Sequence, residues 1–401
     1  MTSSGPLPAT SLSEELFPLA LSRDASKDLS IYIHVPFCRS RCSYCDFFLV
    51  SRLDHIDAFF RALAVETLAA APVLKNRTVK AVHFGGGTPS LVPVGLLAGW
   101  LELVSSLCTF SPGMEIALEA NPEDLDGGAM EELRAAGINR LSLGVQSYQQ
   151  RKLSVLGRQH SAEESLRVTG KALERFDTVS ADLICGVPDE SPEEWREDLK
   201  AALAAAVPHL SVYMLAVEPK TLLERRIAKG LTASPVESLQ AVMYESAIKM
   251  LSGAGYRHYE VSNFACSGHH SRYNLACWMR EPYLGFGPSA HSFMRFDGVE
   301  MRKANAGSLL RYLANPSGCI SFEEILSEEE QYVEHVFLSL RINRGLDVEF
   351  LRKHNKLGQN LPDLLSLFSE KGWISIQNGA IYLTPAGFLF ADHITGALIS
   401  G

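Results

Sequence analysis

Three cysteines, Cys38, Cys42 and Cys45, stand in one short stretch, Ile31 to Phe48, that reads IYIHVPFCRSRCSYCDFF. Three residues separate the first pair and two separate the second. Thiolates are soft ligands that suit iron–sulfur clusters and zinc. A structural zinc ion normally takes four protein ligands. Here three are knotted together with no evident fourth. A 4Fe-4S cluster held by three thiolates keeps one iron open for another ligand, and S-adenosylmethionine chemistry needs such an iron. Spacing alone leaves a structural zinc site, or a chance grouping of buried thiols, as alternatives.

The flanks bear on the choice. Leu29 to Val35 is a short β-rich run, and Pro36 ends it, so the cysteines fall on a loop at a strand end. In α/β folds the chemistry gathers at such ends. Arg39 and Arg41 add positive charge beside the thiols. The pattern C-x3-C-x2-C after Y-x-H-x-P-F-C resembles the radical S-adenosylmethionine superfamily. More narrowly, it is similar to the branch that holds oxygen-independent coproporphyrinogen III oxidase and the HemW-type heme chaperones.

The elements that must position this loop follow in order. His55 to Ala71 has apolar residues at helical spacing. Lys80 to Phe84 predicts a strand running into Gly85, Gly86, Gly87, Thr88 and Pro89. Three glycines bring bare backbone close to something, because no Cβ blocks the approach. A tight turn explains fewer of them than ligand contact does. Further strands are expected at Glu115–Ala120, Leu141–Gln146, Val179–Cys185 and Leu210–Val217, with helices between them. Strand and helix alternate roughly every thirty residues, six times, which argues for parallel strands joined by crossover helices. Six units are too few for a closed eightfold barrel. The expected fold is an open (β/α)6 partial barrel of TIM type.

Polar residues gather at the strand ends: Glu119, Gln146 and Asp182, with Arg158 in a helical stretch. Each alone also reads as a helix cap or a solvated charge. The resemblance implies more. Tyr32, Tyr44, Gly86, Gly87, Thr88, Glu119, Gln146, Arg158 and Asp182 fall where the family's motifs contact S-adenosylmethionine, GGGTP toward its methionine end and Tyr44 near its adenine.

Ser238 to Ala254 predicts a helix and Tyr256 to Phe264 a strand. The next stretch, CSGHHSRYNLACW followed by YLGFGPSAHSF, holds Cys266, His269, His270, Tyr273, Cys277 and His291, and His, Cys and Tyr all serve as axial heme ligands. A loop packed on the barrel mouth is the plainer reading. The family's H-N-x-x-Y-W marker stands here as Tyr273, Asn274, Leu275, Ala276, Cys277 and Trp278, so its His is replaced by Tyr. His270 and Tyr273 are the candidate heme ligands. The tail predicts helices at 323–340, 347–354 and 361–371 and a hairpin around Asn378-Gly379. Pro385 to Ile399 closes it. Together these suggest a winged-helix-like α+β domain acting as a lid or docking module. The expected divisions are an arm at 1–28, a barrel at 29–255, an elaboration covering its mouth at 256–320, and the tail domain at 321–401.

The 401 residues are 46% hydrophobic and 21% charged, with a net charge of −9, which leaves no electrostatic footprint for nucleic acid. No apolar run is long enough to span a membrane. Eight cysteines in a long chain without a secretion signal fit reduced thiols and the cytoplasm. The resemblance implies a 4Fe-4S cluster, S-adenosylmethionine and heme as cofactors. It also implies a heme-acceptor protein as partner, a respiratory protein among the candidates, for a monomer or homodimer. Two functions follow from it: a heme chaperone, or an oxidase that decarboxylates coproporphyrinogen III propionates by radical chemistry. A radical enzyme acting on heme in another way is a third. The oxidase branch has a cysteine two residues after the third ligand. Phe47 stands there in this chain, as in the chaperones, so the chaperone reading leads, and enzymatic turnover is left open.

Overall fold

The structure is a computed structural model that describes residues 27–296, 298–354 and 360–400; the expected N-terminal arm lies almost wholly outside them. Six parallel strands form its centre: β1 (Asp28–Val35), β2 (Thr78–Gly86), β3 (Thr109–Ala120), β4 (Arg140–Gln146), β5 (Thr178–Cys185) and β6 (His209–Met214). They lie side by side in sequence order. Helices join them, including Ile56–Ala69, Val94–Leu107, Gly127–Ala135, Ala162–Leu173 and Pro192–Ala204, and helix Glu237–Gly253 follows β6. Such connections are what parallel pairing requires.

Period-two alternation along the strands decides what faces where. In β1, Leu29, Ile31, Ile33 and Val35 enter the main core, while Tyr32 and His34 line a cavity on the other face. In β4, Leu141, Leu143 and Val145 enter the core, and Ser142, Gly144 and Gln146 face a cavity. The same division puts Asp182 of β5 and Tyr213 of β6 inward. Burying one such aliphatic side chain is worth about 2 kcal/mol, so a one-residue register slip is strongly disfavoured. Trp100 ties its helix inward by donating to Thr67 Oγ1 at 2.9 Å, and Trp195 by donating to the Met243 carbonyl at 2.8 Å.

β1 and β6 do not pair with each other, so the barrel is open. Segment 256–325 extends the sheet at both margins. β7 (Arg257–Glu260) and β8 (Asn263–Ala265) form a hairpin beside β6. β9 (Tyr283–Phe286) pairs parallel with β1, and β10 (His291–Phe296), β11 (Val299–Asn305) and β12 (Ile320–Ile325) continue antiparallel beyond it. This corrects the expected single strand over Tyr256–Phe264. The chain reverses at Val261-Ser262, without the Gly or Pro of a strong turn signal. Long-range bonds hold the reversal instead: Val261 N donates to Arg341 O at 2.9 Å and Val212 N to Ser262 O at 2.8 Å.

The tail is α+β with a core of its own that includes Val336, Leu351, Phe368 and Ile394. Helices Glu328–Ser339, Val348–Lys353 and Asn360–Glu370 pack with a three-stranded sheet of β13 (Leu346–Asp347), β14 (Ile374–Gln377) and β15 (Ala380–Leu383). This is a winged-helix-like arrangement. Two expectations shift. The first helix begins after β12, where Ser327 and Glu330 form a capping box. The closing helix is two, Pro385–Phe388 and Ala391–Ile399. Among the described residues no helix is long and apolar enough to cross a membrane.

Candidate cofactor-binding site

The cysteine loop is pinned at its base and its middle. Val50 N donates to Pro36 O at 2.7 Å, and Cys38 N donates to Val50 O at 3.1 Å. Ser43 N donates to Leu156 O at 3.2 Å, and Leu223 N donates back to Ser43 O at 2.7 Å. The loop is therefore clasped between the β4–β5 and post-β6 segments. Cys38, Cys42 and Cys45 all line one cavity of about 490 Å³ at the C-terminal ends of the strands. Among the described residues no three His, Cys, Asp or Glu side chains converge on a point that one metal ion would occupy.

Burial pushes the Cys38 thiol up to about 11, and the Cys45 thiol is also raised, chiefly by burial. A coordinating metal removes such a proton outright. The cation that reaches the thiols is Arg158, whose Nη1 lies 3.4 Å from Cys42 Sγ. Arg39 instead pairs with Asp124 at 2.9 Å, and Arg41 donates to the Cys45 carbonyl at 3.0 Å.

Gly86, Gly87, Thr88, Glu119, Gln146, Arg158 and Asp182 share this cavity with the cysteines and Tyr44. Arg158 Nη2 donates to Asn121 Oδ1 at 2.6 Å and to the Gly144 carbonyl at 2.8 Å. Its Nε is buried without a partner, so the cavity wall offers an unspent cationic donor. Gln146 holds φ +63°, a conformation that costs a non-glycine residue energy and aims it out of the strand. Asp182 is half-buried, and its carboxyl is pushed up to about 6, first by desolvation, while Ser142 Oγ lies 3.3 Å from both of its oxygens. A partly open bowl with three thiols, a free guanidinium donor and carboxylates at separate positions suits a ligand that is cationic at one end and carries an amino-acid group. The residues fit a cluster with S-adenosylmethionine beside it.

The glycines turn out to be needed by the protein itself. A Cβ on Gly85 would lie 2.7 Å from Glu119 Oε1, one on Gly86 2.6 Å from the His34 ring, and one on Gly87 2.7 Å from Phe37 O. Gly86 also holds φ +101°. Close approach of β2 to the cysteine loop and to Glu119 thus explains the triplet before any ligand is added. Glu119 in turn accepts from Gly86 N at 3.1 Å and hydrogen-bonds His83 Nε2 at 2.9 Å.

Tyr32 lies elsewhere. It lines a second cavity of about 430 Å³, shared with His34, Tyr273, Tyr283 and His291 and walled off from the first by Asp46, Phe47, Gly86 and Glu119, which border both. Tyr32, His83 and Tyr273 stack, with interplanar angles of 22° and less. His270 meets neither cavity. The Cys266–Trp278 segment closes the N-terminal ends of the strands, not the open mouth. There Arg140 Nη1 donates to His269 O at 3.0 Å, and Arg272 N donates to Glu115 Oε1 at 3.1 Å. His270 sits edge-on to Tyr259 in that plug. Tyr273 reaches the second cavity because it lies on the inner side of helix Arg272–Trp278.

Sequence reading passed over Tyr213 as a cavity residue and His34 and His83 as wall residues of the inner face. Strand alternation was the available signal, since each of His34, His83 and Tyr213 stands opposite in phase to its strand's apolar positions.

Residues 32–202 match the Radical SAM superfamily and residues 326–390 match the HemN C-terminal domain. Over 92% of this chain and 99% of the relative, it is 33% identical to a Bacillus subtilis protein named heme chaperone HemW. A Mycobacterium tuberculosis protein of the same name is 34% identical over 92% of this chain and 94% of its own. The chain belongs to the HemW family of radical SAM proteins. Its fold is also that of an Escherichia coli coproporphyrinogen III oxidase, HemN, at a TM-score of 0.82 and 24% identity, covering 97% of this chain and 94% of that one. The HemW likeness covers nearly the whole chain.

Proposed function

We propose that this chain is a heme-binding chaperone that carries a 4Fe-4S cluster and S-adenosylmethionine and hands heme to an acceptor protein. The supporting observation is near-full-length likeness to proteins named heme chaperone HemW, joined to a cavity lined by three thiols. Cys38, Cys42 and Cys45 would hold the cluster. Gly86, Gly87, Thr88, Glu119, Gln146, Arg158 and Asp182 would hold S-adenosylmethionine, with Tyr44 against its adenine. When bound, the cluster supplies an electron and an open iron to that cofactor. The chain's own part is positional. Arg158 orients a carboxylate and keeps positive charge beside the thiolates, and the glycine turn holds the methionine end close to β2.

Phe47 is 58% exposed and stands in the wall between the two cavities. It has neither a thiol to ligate metal nor a labile proton to donate, which supports transfer of heme over turnover of coproporphyrinogen. One anaerobic preparation tests the whole reading. Reconstitution is expected to give about four irons per chain, ferric heme titration a shifted Soret band, and a coproporphyrinogen assay no protoporphyrinogen. Repeated turnover in that assay would overthrow the chaperone reading in favour of the oxidase.

A further inference from the structure

The second cavity has chemistry of its own. Its outer wall is the inward face of the sheet beyond β1, where the register places Ser30 beside Tyr283, Tyr283 beside Phe293, and His291 beside Ala304. Ala304 in turn faces Phe322 of the edge strand. The His291 ring therefore stands next to the half-exposed Phe322 ring, at 5.8 Å and 63°. Across the cavity stand Phe47 and Phe48. Aromatic side chains flank the gap, and Asp46, Phe47, Gly86 and Glu119 separate it from the cluster cavity.

Five groups in this cavity could ligate iron through nitrogen or phenolate oxygen: Tyr32, His34, Tyr273, Tyr283 and His291. Burial raises the Tyr32 and Tyr283 phenols, away from the phenolate that iron binds. His34 has both ring nitrogens engaged, Nδ1 with Tyr32 Oη at 3.2 Å and Nε2 with Phe48 O at 2.9 Å. Tyr273 is held in a ring stack with Tyr32 and His83, and burial drives its phenol well above the ordinary range, away from the phenolate that iron binds. His291 is exposed, and its ring nitrogens make no hydrogen bond among the described residues. Partial desolvation and the Arg302 charge lower its proton affinity, which favours the neutral imidazole. A neutral imidazole is the usual nitrogen ligand to heme iron.

We propose that His291 is the protein ligand to the iron of a heme lodged in this second cavity, with Phe322 against the macrocycle edge. The proposal rests on the heme-binding reading above and deepens it by naming the ligand.

The test uses the full chain with its cluster reconstituted, titrated with ferric heme and, separately, with metal-free protoporphyrin IX. Wild type is expected to bind heme at least tenfold tighter than the metal-free ring, with a Soret band typical of imidazole ligation. His291→Ala should lose that preference and shift the band, and added free imidazole should restore it. Phe322→Ala should weaken heme severalfold with the band unmoved, and His270→Ala should change neither. Unchanged cluster absorbance and circular dichroism establish that His291→Ala is folded. A His291→Ala spectrum and affinity equal to wild type would overturn the ligand assignment while leaving heme binding intact. Failure of wild type to bind heme would remove the underlying reading, and the assignment with it.

Discussion

The two ends of the same six strands treat their polar residues in opposite ways. At the N-terminal end the inward side chains satisfy one another. Arg140 pairs with Glu115 at 3.5 Å, Ser180 Oγ hydrogen-bonds His209 Nδ1 at 2.6 Å, and His209 Nε2 meets Tyr259 Oη at 2.7 Å. At the C-terminal end they are left open: Arg158 Nε is orphaned, Asp182 is desolvated without a cation in contact, and three thiols face a void. A buried polar network is worth having when every member is satisfied and costly when one is not. The closed end thus contributes stability, and the open end holds a site at the expense of stability.

That contrast predicts a division among variants, and the largest effect belongs to the open end. Cys38→Ala should abolish most iron binding after anaerobic reconstitution, from about four irons per chain toward none, as read by iron analysis and visible absorbance. Retention of one zinc per chain with no iron in the wild type would reverse the argument.

At the closed end, Arg140→Met leaves the buried Glu115 carboxylate without its cation. Breaking a buried pair from one side costs about 3 kcal/mol. The expected result is a matching fall in unfolding free energy by denaturant titration of the cluster-free chain. Iron uptake should stay at the wild-type level, since the thiols lie at the other end of the strands. A large loss of iron with unchanged stability would show that the two ends are not separable.

The third case reverses the sign. Asp182 titrates at about 6 when folded, against an ordinary value of 3.8. Between those values the folded chain holds more protons than the unfolded one, so stability falls as pH rises through the window and stays low above it. The full difference is at most about 3 kcal/mol. Asp182→Asn should therefore stabilise the cofactor-free chain at pH 7 and flatten its stability between pH 4 and 6 (about the two pKa values), while weakening S-adenosylmethionine binding in calorimetry. Destabilisation at pH 7 would show that Ser142 and Ser211 already compensate the charge.

The same contrast explains what was legible beforehand. The six repeats of strand and helix follow from local periodicity, and the cysteine loop from spacing, so both stood in the sequence. The plug at the closed end did not. Residues 257–278 are placed by contacts from distant segments, such as Glu115 to Arg272 and Arg140 to His269, and carry no Gly or Pro where β7 turns into β8. The histidines and tyrosine there looked like ligands at an open mouth because nothing local records which barrel end a segment reaches. His291 stood in the same His-, Cys- and Tyr-rich region, and nothing local singled it out. Its place beside the cavity comes from β9 pairing with β1, across roughly 250 residues of chain.

The smallest expected effect tests whether the plug histidines are structural. His269 Nδ1 hydrogen-bonds Thr178 Oγ1 at 2.9 Å, and its carbonyl accepts from Arg140. His269→Ala removes only the first of these, because the carbonyl belongs to the backbone. The ring is partly solvated, so water can replace it at Thr178, and the loss should be about 1 kcal/mol. A shift of that size in denaturant midpoint, with cluster content and heme spectrum unchanged, is the expected outcome. A heme spectrum altered by His269→Ala would place a heme ligand at the closed end and dissolve the division between plug and site.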